Sequence, residues 1–137
     1  MTLPFVLLIG GIIVEVAIAG AFVTYFLSNS GYGERLSMRA TAASESGVRD
    51  AMIRITQNKE LVADATQTSY TVYVSQDNNN DSALVVISRT TSGGIYRYAV
   101  TSLGTAVSRQ KKYSAIISVN GTTGGVELES IKEVAVE

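Results

Sequence analysis

The chain has 137 residues, of which 46% are hydrophobic and only 17% are charged. An ordinary soluble domain carries roughly 25% charged residues, so apolar side chains must be concentrated in one part of this chain. The formal net charge is -1, which gives no overall attraction to nucleic acid. There is no Cys and no His. Without thiols and imidazoles we expect neither an enzyme nor a protein that holds a metal or cofactor.

The stretch from Leu3 to Leu27 is apolar and contains one charged side chain, Glu15. At about 1.5 Å of rise per residue, a helix of this length crosses the roughly 30 Å hydrocarbon core of a membrane. It is longer than a secretory signal peptide, and the first basic side chain is Arg35. We therefore predict a retained hydrophobic helix over residues 1–33. Because a membrane anchor normally carries flanking basic residues, we expect that a basic leader upstream of Met1 was removed.

Glu15 lies in the middle of this apolar stretch, where a charge costs about 2.5 to 3.5 kcal/mol on insertion scales. Two interpretations stay open. Glu15 is protonated or reached by water in a plain anchor, or it pairs with a cation when several copies of the helix pack together. The nearest available cation is the amine of Met1 in another copy. Small residues would allow such helices to approach closely: Gly10, Gly11, Ala17, Ala19, Gly20 and Ala21.

A polar, glycine-containing stretch from Ser28 to Gly33 follows, and there we expect the helix to kink or melt. From Glu34 to about Asn58 apolar residues recur every three or four positions, which predicts an amphipathic helix over residues 34–60. Its central stripe is formed by small and aliphatic residues: Leu36, Ala40, Ala43, Gly47, Ala51 and Ile55. Because these side chains are small, we expect a β-sheet to pack closely against them.

Residues 61–137 are rich in Val, Ile, Tyr and Thr and predict a β-sheet head. The predicted strands are Tyr70–Ser75, Ala83–Arg89, Ile95–Leu103, Val107–Val119 and Val126–Val134. Short turn-forming links between sequential strands imply antiparallel pairing. The predicted fold is therefore α+β: a long N-terminal helix with an apolar and an amphipathic half, packed on a small antiparallel sheet of about five strands.

Two polar clusters in the head have alternative interpretations. The run from Asp77 to Asp81 resembles the opening of a calcium loop, but it lacks the glycine and glutamate that such a loop needs, so a hairpin is favoured over a cation site. Arg109, Lys111 and Lys112 form a basic cluster. One interpretation is that this cluster contacts DNA or an acidic neighbour. The other is that it lies on a solvated strand face or on an edge strand, where charges prevent aggregation.

The order of these elements resembles that of type IV pilins and the related pseudopilins and minor pilins. Met1, Thr2 and Leu3, leading straight into an apolar helix, resemble the mature start that prepilin peptidase leaves. The run from Arg39 to Ala51 resembles the Ala-rich segment ending in Ser-Gly-Val where such helices meet their head. The resemblance in element order covers the whole chain, whereas the match of motifs is confined to residues 1–55.

One position departs from the family pattern. Most members carry glutamate at the fifth mature position, where it pairs with the amine of a neighbouring subunit, but here that position is Phe5. Glu15 is the only candidate for this acid. Because Met1 and Glu15 are separated by the rise of 14 helical residues, the Met1 amine that pairs with Glu15 would belong to a copy displaced along the axis by about 21 Å. Cleavage after Gly10 would instead put Glu15 at the fifth position. The predicted assembly residues are therefore Met1, Phe5 and Glu15, which the resemblance implies, and Gly10, Gly11 and Gly20, which follow from their small size.

The resemblance implies a structural subunit of an extracellular helical filament of identical copies, held in the inner membrane before assembly. A methylated N-terminus and a role in cell adhesion belong to the same expectation. The implied partners are a platform protein, an assembly ATPase and prepilin peptidase. Two alternatives remain: a monomeric, membrane-anchored surface domain whose head binds a ligand, and a minor tip pilin or pseudopilin of a secretion or DNA-uptake system.

Overall fold

The structure, a computed structural model, describes residues 3–74 and 81–136. Within this part of the chain lie one helix and five strands: α1 (Leu3–Gln57), β1 (Gln67–Tyr73), β2 (Ser82–Ser92), β3 (Ile95–Ala106), β4 (Arg109–Asn120) and β5 (Val126–Val134). The strands pair antiparallel in chain order, so β1 and β5 form the two edges. The later part of α1 packs on one face of the sheet, which confirms the predicted α+β fold.

The chain forms two compact units, which meet in sequence between Arg35 and Leu36. The first unit contains the early part of α1. The second contains the rest of α1 and the whole sheet, with a core of its own. Nearly all of the predicted amphipathic segment therefore belongs to the same compact unit as the predicted β-rich head.

The polar stretch from Ser28 to Gly33 is helical throughout. The expected melting of the helix there is wrong. Gly31 and Gly33 each lower helix stability by only about 1 kcal/mol relative to alanine. The remaining residues of the stretch can keep their backbone hydrogen bonds within the helix, so this cost does not interrupt it.

The two faces of the sheet alternate as the sequence predicts. In β4 the side chains of Ala115, Ile117 and Val119 are buried, whereas their neighbours face outward and are partly exposed. The same alternation in β2 and β3 supplies the centre of the core, and the helix contributes Val48, Ala51 and Ile55. Because successive side chains of a strand point to opposite faces, only one face of the sheet is covered by α1.

The turns explain where the strand boundaries differ from the prediction. The predicted fourth strand began at Val107, but Val107 and Ser108 form a two-residue turn and β4 begins at Arg109. The first strand begins at Gln67, three residues before the predicted start, and its predicted last residue, Ser75, lies outside the described residues. Side-chain alternation predicts the strands but not this tight turn, because Val107 is β-branched and is therefore typical of a strand.

The head is expected to lose stability at alkaline pH because of two tyrosines. Tyr98 is fully buried and its hydroxyl donates a hydrogen bond to the carbonyl of Lys59 at 2.5 Å, while Tyr70 lies under the guanidinium of Arg54. Burial raises the pKa of both phenols above the usual value of about 10. The unfolded chain then releases these protons at lower pH than the folded chain does. The two protonated phenols therefore contribute fully to the stability of the fold below about pH 10, and this contribution is lost as the pH rises further.

Chemical denaturation at a series of pH values checks this. Tyr98→Phe should flatten the fall in the free energy of unfolding between pH 10 and the higher pKa. Tyr73→Phe is the control, because Tyr73 is 73% exposed. Equal stability of the unsubstituted chain at neutral pH and well above pH 10 would contradict the expectation.

Candidate membrane and assembly surface

The first unit presents a long and largely apolar surface. Every described side chain from Pro4 to Tyr32 is exposed, including Phe5 (66%) and Leu27 (68%). The helix contains an 18-residue window of mean hydropathy 2.5 in which no residue is buried. It is long and apolar enough to cross a membrane and is compatible with membrane anchoring. An apolar surface of this extent requires lipid or other protein to cover it.

Glu15 is exposed within this surface. Among the described residues, none of the four ion pairs includes it. Its neighbours at i-4 and i+4, on the same face of the helix, are Gly11 and Ala19. A carboxylate flanked on both sides by such small residues can be approached by the backbone of another helix. The Met1 amine, its predicted partner, lies outside the described residues.

Three predicted assembly residues of the apolar helix are glycines. A Cβ atom added to Gly10, Gly11 or Gly20 would meet no other atom within 4 Å. The space beside them is therefore open within a single copy. Nothing inside the described chain requires glycine at these positions, and their small size leaves room for the close approach of another helix. Phe5, another predicted assembly residue, is also exposed.

The second unit contains the predicted packing stripe of the helix. All six residues are buried: Leu36, Ala40, Ala43, Gly47, Ala51 and Ile55. A Cβ atom on Gly47 would lie 2.3 Å from Ser102 Oγ and 2.9 Å from Val85 Cγ2. The glycine therefore sets how closely α1 approaches β2 and β3.

Gly104 in β3 completes this contact and was not identified from the sequence. A Cβ atom there would lie 2.2 Å from the carbonyl oxygen of Ala40 and 2.5 Å from the amide nitrogen of Ser44. The helix backbone thus rests directly on the strand. The available signal was a lone glycine inside a strand pattern, which often marks the close approach of another backbone.

Near this contact, an ion pair joins the helix to Asp81, the residue that precedes β2. Arg39 Nε and Nη2 lie 2.8 Å and 2.7 Å from Asp81 Oδ2, and Asp81 is only 7% exposed. The sequence pattern had placed Asp81 in a cation-binding or turn segment, of which Asp77 to Asn80 lie outside the described residues. Within residues 3–74 and 81–136, no group of three acidic side chains could hold a metal ion.

The basic cluster divides between the two faces of the sheet. Lys111 pairs with Glu133 of β5, whereas Lys112 lies on the face away from the helix, opposite Leu103. Arg109 is exposed beside the turn between β3 and β4. The cluster is therefore not a single positive patch.

Comparisons of the chain with protein-family models, with curated proteins and with solved structures found no match. The functional conclusion depends on the residues and fold of this chain.

Proposed function

We propose that this chain is a structural subunit of an extracellular filament of the type IV pilus kind, which polymerises through the apolar part of α1. The observation that carries the proposal is the exposure of every described side chain from Pro4 to Tyr32, in a chain whose head has a core of its own. This segment is an exposed and largely apolar surface. Lipid covers it before assembly, and the same segment of other copies covers it afterwards.

Burial of the apolar part of α1 is expected to contribute most of the free energy of assembly. Each Å² of apolar surface removed from water stabilises by roughly 25 cal/mol. A segment in which Phe5, Leu8, Ile12 and Phe22 are all more than half exposed offers far more of this surface than the contacts between polar heads do. Loss of chain freedom on association offsets part of the gain.

The sequence features that resemble type IV pilins support the same proposal. One is the start at Met1, Thr2 and Leu3. The other is the run from Arg39 to Ala51, which contains residues that pack on the sheet. In this proposal the subunit is held in the membrane, processed by prepilin peptidase, and extracted by a platform protein and its ATPase to reach the cell surface. Phe5 in place of glutamate is the feature that would suit a minor or tip subunit.

A second candidate is a monomeric surface domain anchored by the same helix. A groove of about 420 Å³ on the head favours it, since apolar side chains of α1 and β5 line this groove: Val48, Met52, Leu128 and Ile131. Leu128 and Ile131 are 40% and 48% exposed. A small apolar ligand would fit there without any polymer.

Electron microscopy of material sheared from cells that express the chain with a type IV assembly system distinguishes these candidates. We expect thin fibres that an antibody against the head decorates along their length. Mass spectrometry of the same material should find a methylated Met1 amine. Protein found only in the membrane fraction, with no fibres and no methylation, would contradict the proposal and favour the monomeric anchor.

A further inference from the structure

The outer face of the sheet, away from α1, contains a groove of about 410 Å³ at the end where β3 begins and β4 ends. Four of its residues, Thr90, Arg97, Ser118 and Glu127, form one row across β2, β3, β4 and β5. Ile95, 47% exposed, adds an apolar side chain. The groove thus combines hydroxyl groups, an aliphatic surface and charges.

A β-bulge makes this groove acidic. The pairing of β4 with β5 skips Glu129, because Ile117 lies opposite Leu128 and Ile116 lies opposite Ser130. A bulge of this kind redirects a side chain, and here Glu129 reaches Arg97 across β4 at 3.0 Å. Glu127, in the same groove, has no basic group within ion-pair distance among the described residues. One guanidinium against two carboxylates leaves the groove with one uncompensated negative charge.

The opposite end of the sheet carries a projecting tip with complementary properties. In the turn between β3 and β4, Val107 is 62% exposed and has a φ of 55°. A β-branched residue is strained at positive φ, where glycine is favoured, and such strain often marks a functional position. Arg109, two residues later, is exposed and has no acidic partner among the described residues. The tip is therefore an apolar side chain beside a positive charge.

We propose that the tip at Val107 and Arg109 of one copy docks in the outer-face groove of a second copy, with Val107 against Ile95 and Arg109 near Glu127. A copy cannot fill its own groove, because the 12 residues of β3 separate the two ends by about 37 Å. Groove and tip are different surfaces, so the contact is head-to-tail and propagates along the strand direction instead of closing a pair. This inference rests on the proposed filament and names a contact between its heads.

Disulfide crosslinking of the full-length chain in membranes and in sheared material tests the contact, because the sequence has no Cys. Copies with Ser108→Cys are mixed with copies with Ser118→Cys. We expect a covalent dimer from the mixture and none from either variant alone. A chain with both substitutions should give a ladder of multimers. In the control, copies with Ser108→Cys are mixed with copies with Ala42→Cys, a substitution at an exposed position of α1. This mixture should not crosslink.

Charge reversal tests the role of Arg109. Arg109→Glu on the copy with Ser108→Cys should lower the yield about tenfold, and Glu127→Lys on the other copy should restore it. Val107→Gly should raise the Tm of the head by about 5 °C, through relief of strain, and yet lower the crosslinking yield. An unchanged yield for both Arg109→Glu and Val107→Gly would overturn the proposed contact.

The outcomes separate this inference from the proposed function. Fibres without the crosslink between positions 108 and 118 overturn the head-to-tail contact and leave the filament in place. The crosslink in membranes without fibres supports the contact and contradicts the filament. Dimers from Ser118→Cys alone would overturn the inference in favour of a symmetric contact between two grooves.

Discussion

Gly104→Ala is expected to lower the free energy of unfolding of the head by about 3 kcal/mol, at the upper end of what overpacking usually costs. The new methyl group would lie 2.2 Å from the Ala40 carbonyl oxygen and 2.5 Å from the Ser44 nitrogen. Both are backbone atoms of a regular helix and cannot rotate away. The whole helix must instead move off the sheet, which opens gaps around Ala43 and Ala51.

Two other glycines make the comparison specific. Gly47→Ala should cost less than Gly104→Ala, because its nearest contact is the hydroxyl of Ser102, a side-chain atom that can turn aside. Gly125→Ala is the matched control, since its Cβ would meet only Thr123 Oγ1, at 3.4 Å. Thermal and chemical denaturation of the full chain in detergent measure all three. A loss for Gly104→Ala no greater than that for Gly125→Ala would show that the helix does not rest on β3 in this way.

The helix, the strands and their order were predictable because each depends on a periodic pattern that one segment carries by itself. The stripe from Leu36 to Ile55 recurs every three or four residues, and alternation in β4 marks Ala115 and Ile117 as inward. What could not be predicted depends on two distant segments at once. The approach of Gly104 to Ala40 is such a case, and so is the pairing of Arg39 with Asp81.

The geometry of the turns and the register of the strands could not be predicted from the sequence either. Val107 reads as a strand residue because it is β-branched, yet it occupies a turn with positive φ. The bulge that brings Glu129 to Arg97 follows from the pairing of β4 with β5, and the alternation in β5 alone does not reveal it. Of the candidate assembly residues, Glu15 and Gly11 share a helix face as the periodicity implies. The proposed partner of Glu15 belongs to another copy and would leave no pattern in this one.

Glu15→Gln is expected to lower the yield of fibres by about 10² to 10³-fold while the amount of protein in the membrane stays unchanged. In the proposed filament, the carboxylate offsets the amine of Met1 from another copy, in a core that excludes water. Loss of one partner of a buried ion pair costs about 3 to 5 kcal/mol, because the remaining charge is left uncompensated. Glutamine is neutral and inserts into lipid more readily than a carboxylate does. A lone anchor would therefore tolerate the change.

The control for this experiment is the neighbouring residue. Val16 is 67% exposed and lies about 100° around the helix from Glu15. Val16→Gln adds a polar amide at the same depth but removes no charge, so it should assemble far better than Glu15→Gln if pairing is the cause. Equal losses for the two variants would assign the effect to polarity in the apolar core. Normal fibres from Glu15→Gln would reject the ion pair and leave apolar burial alone as the force of assembly.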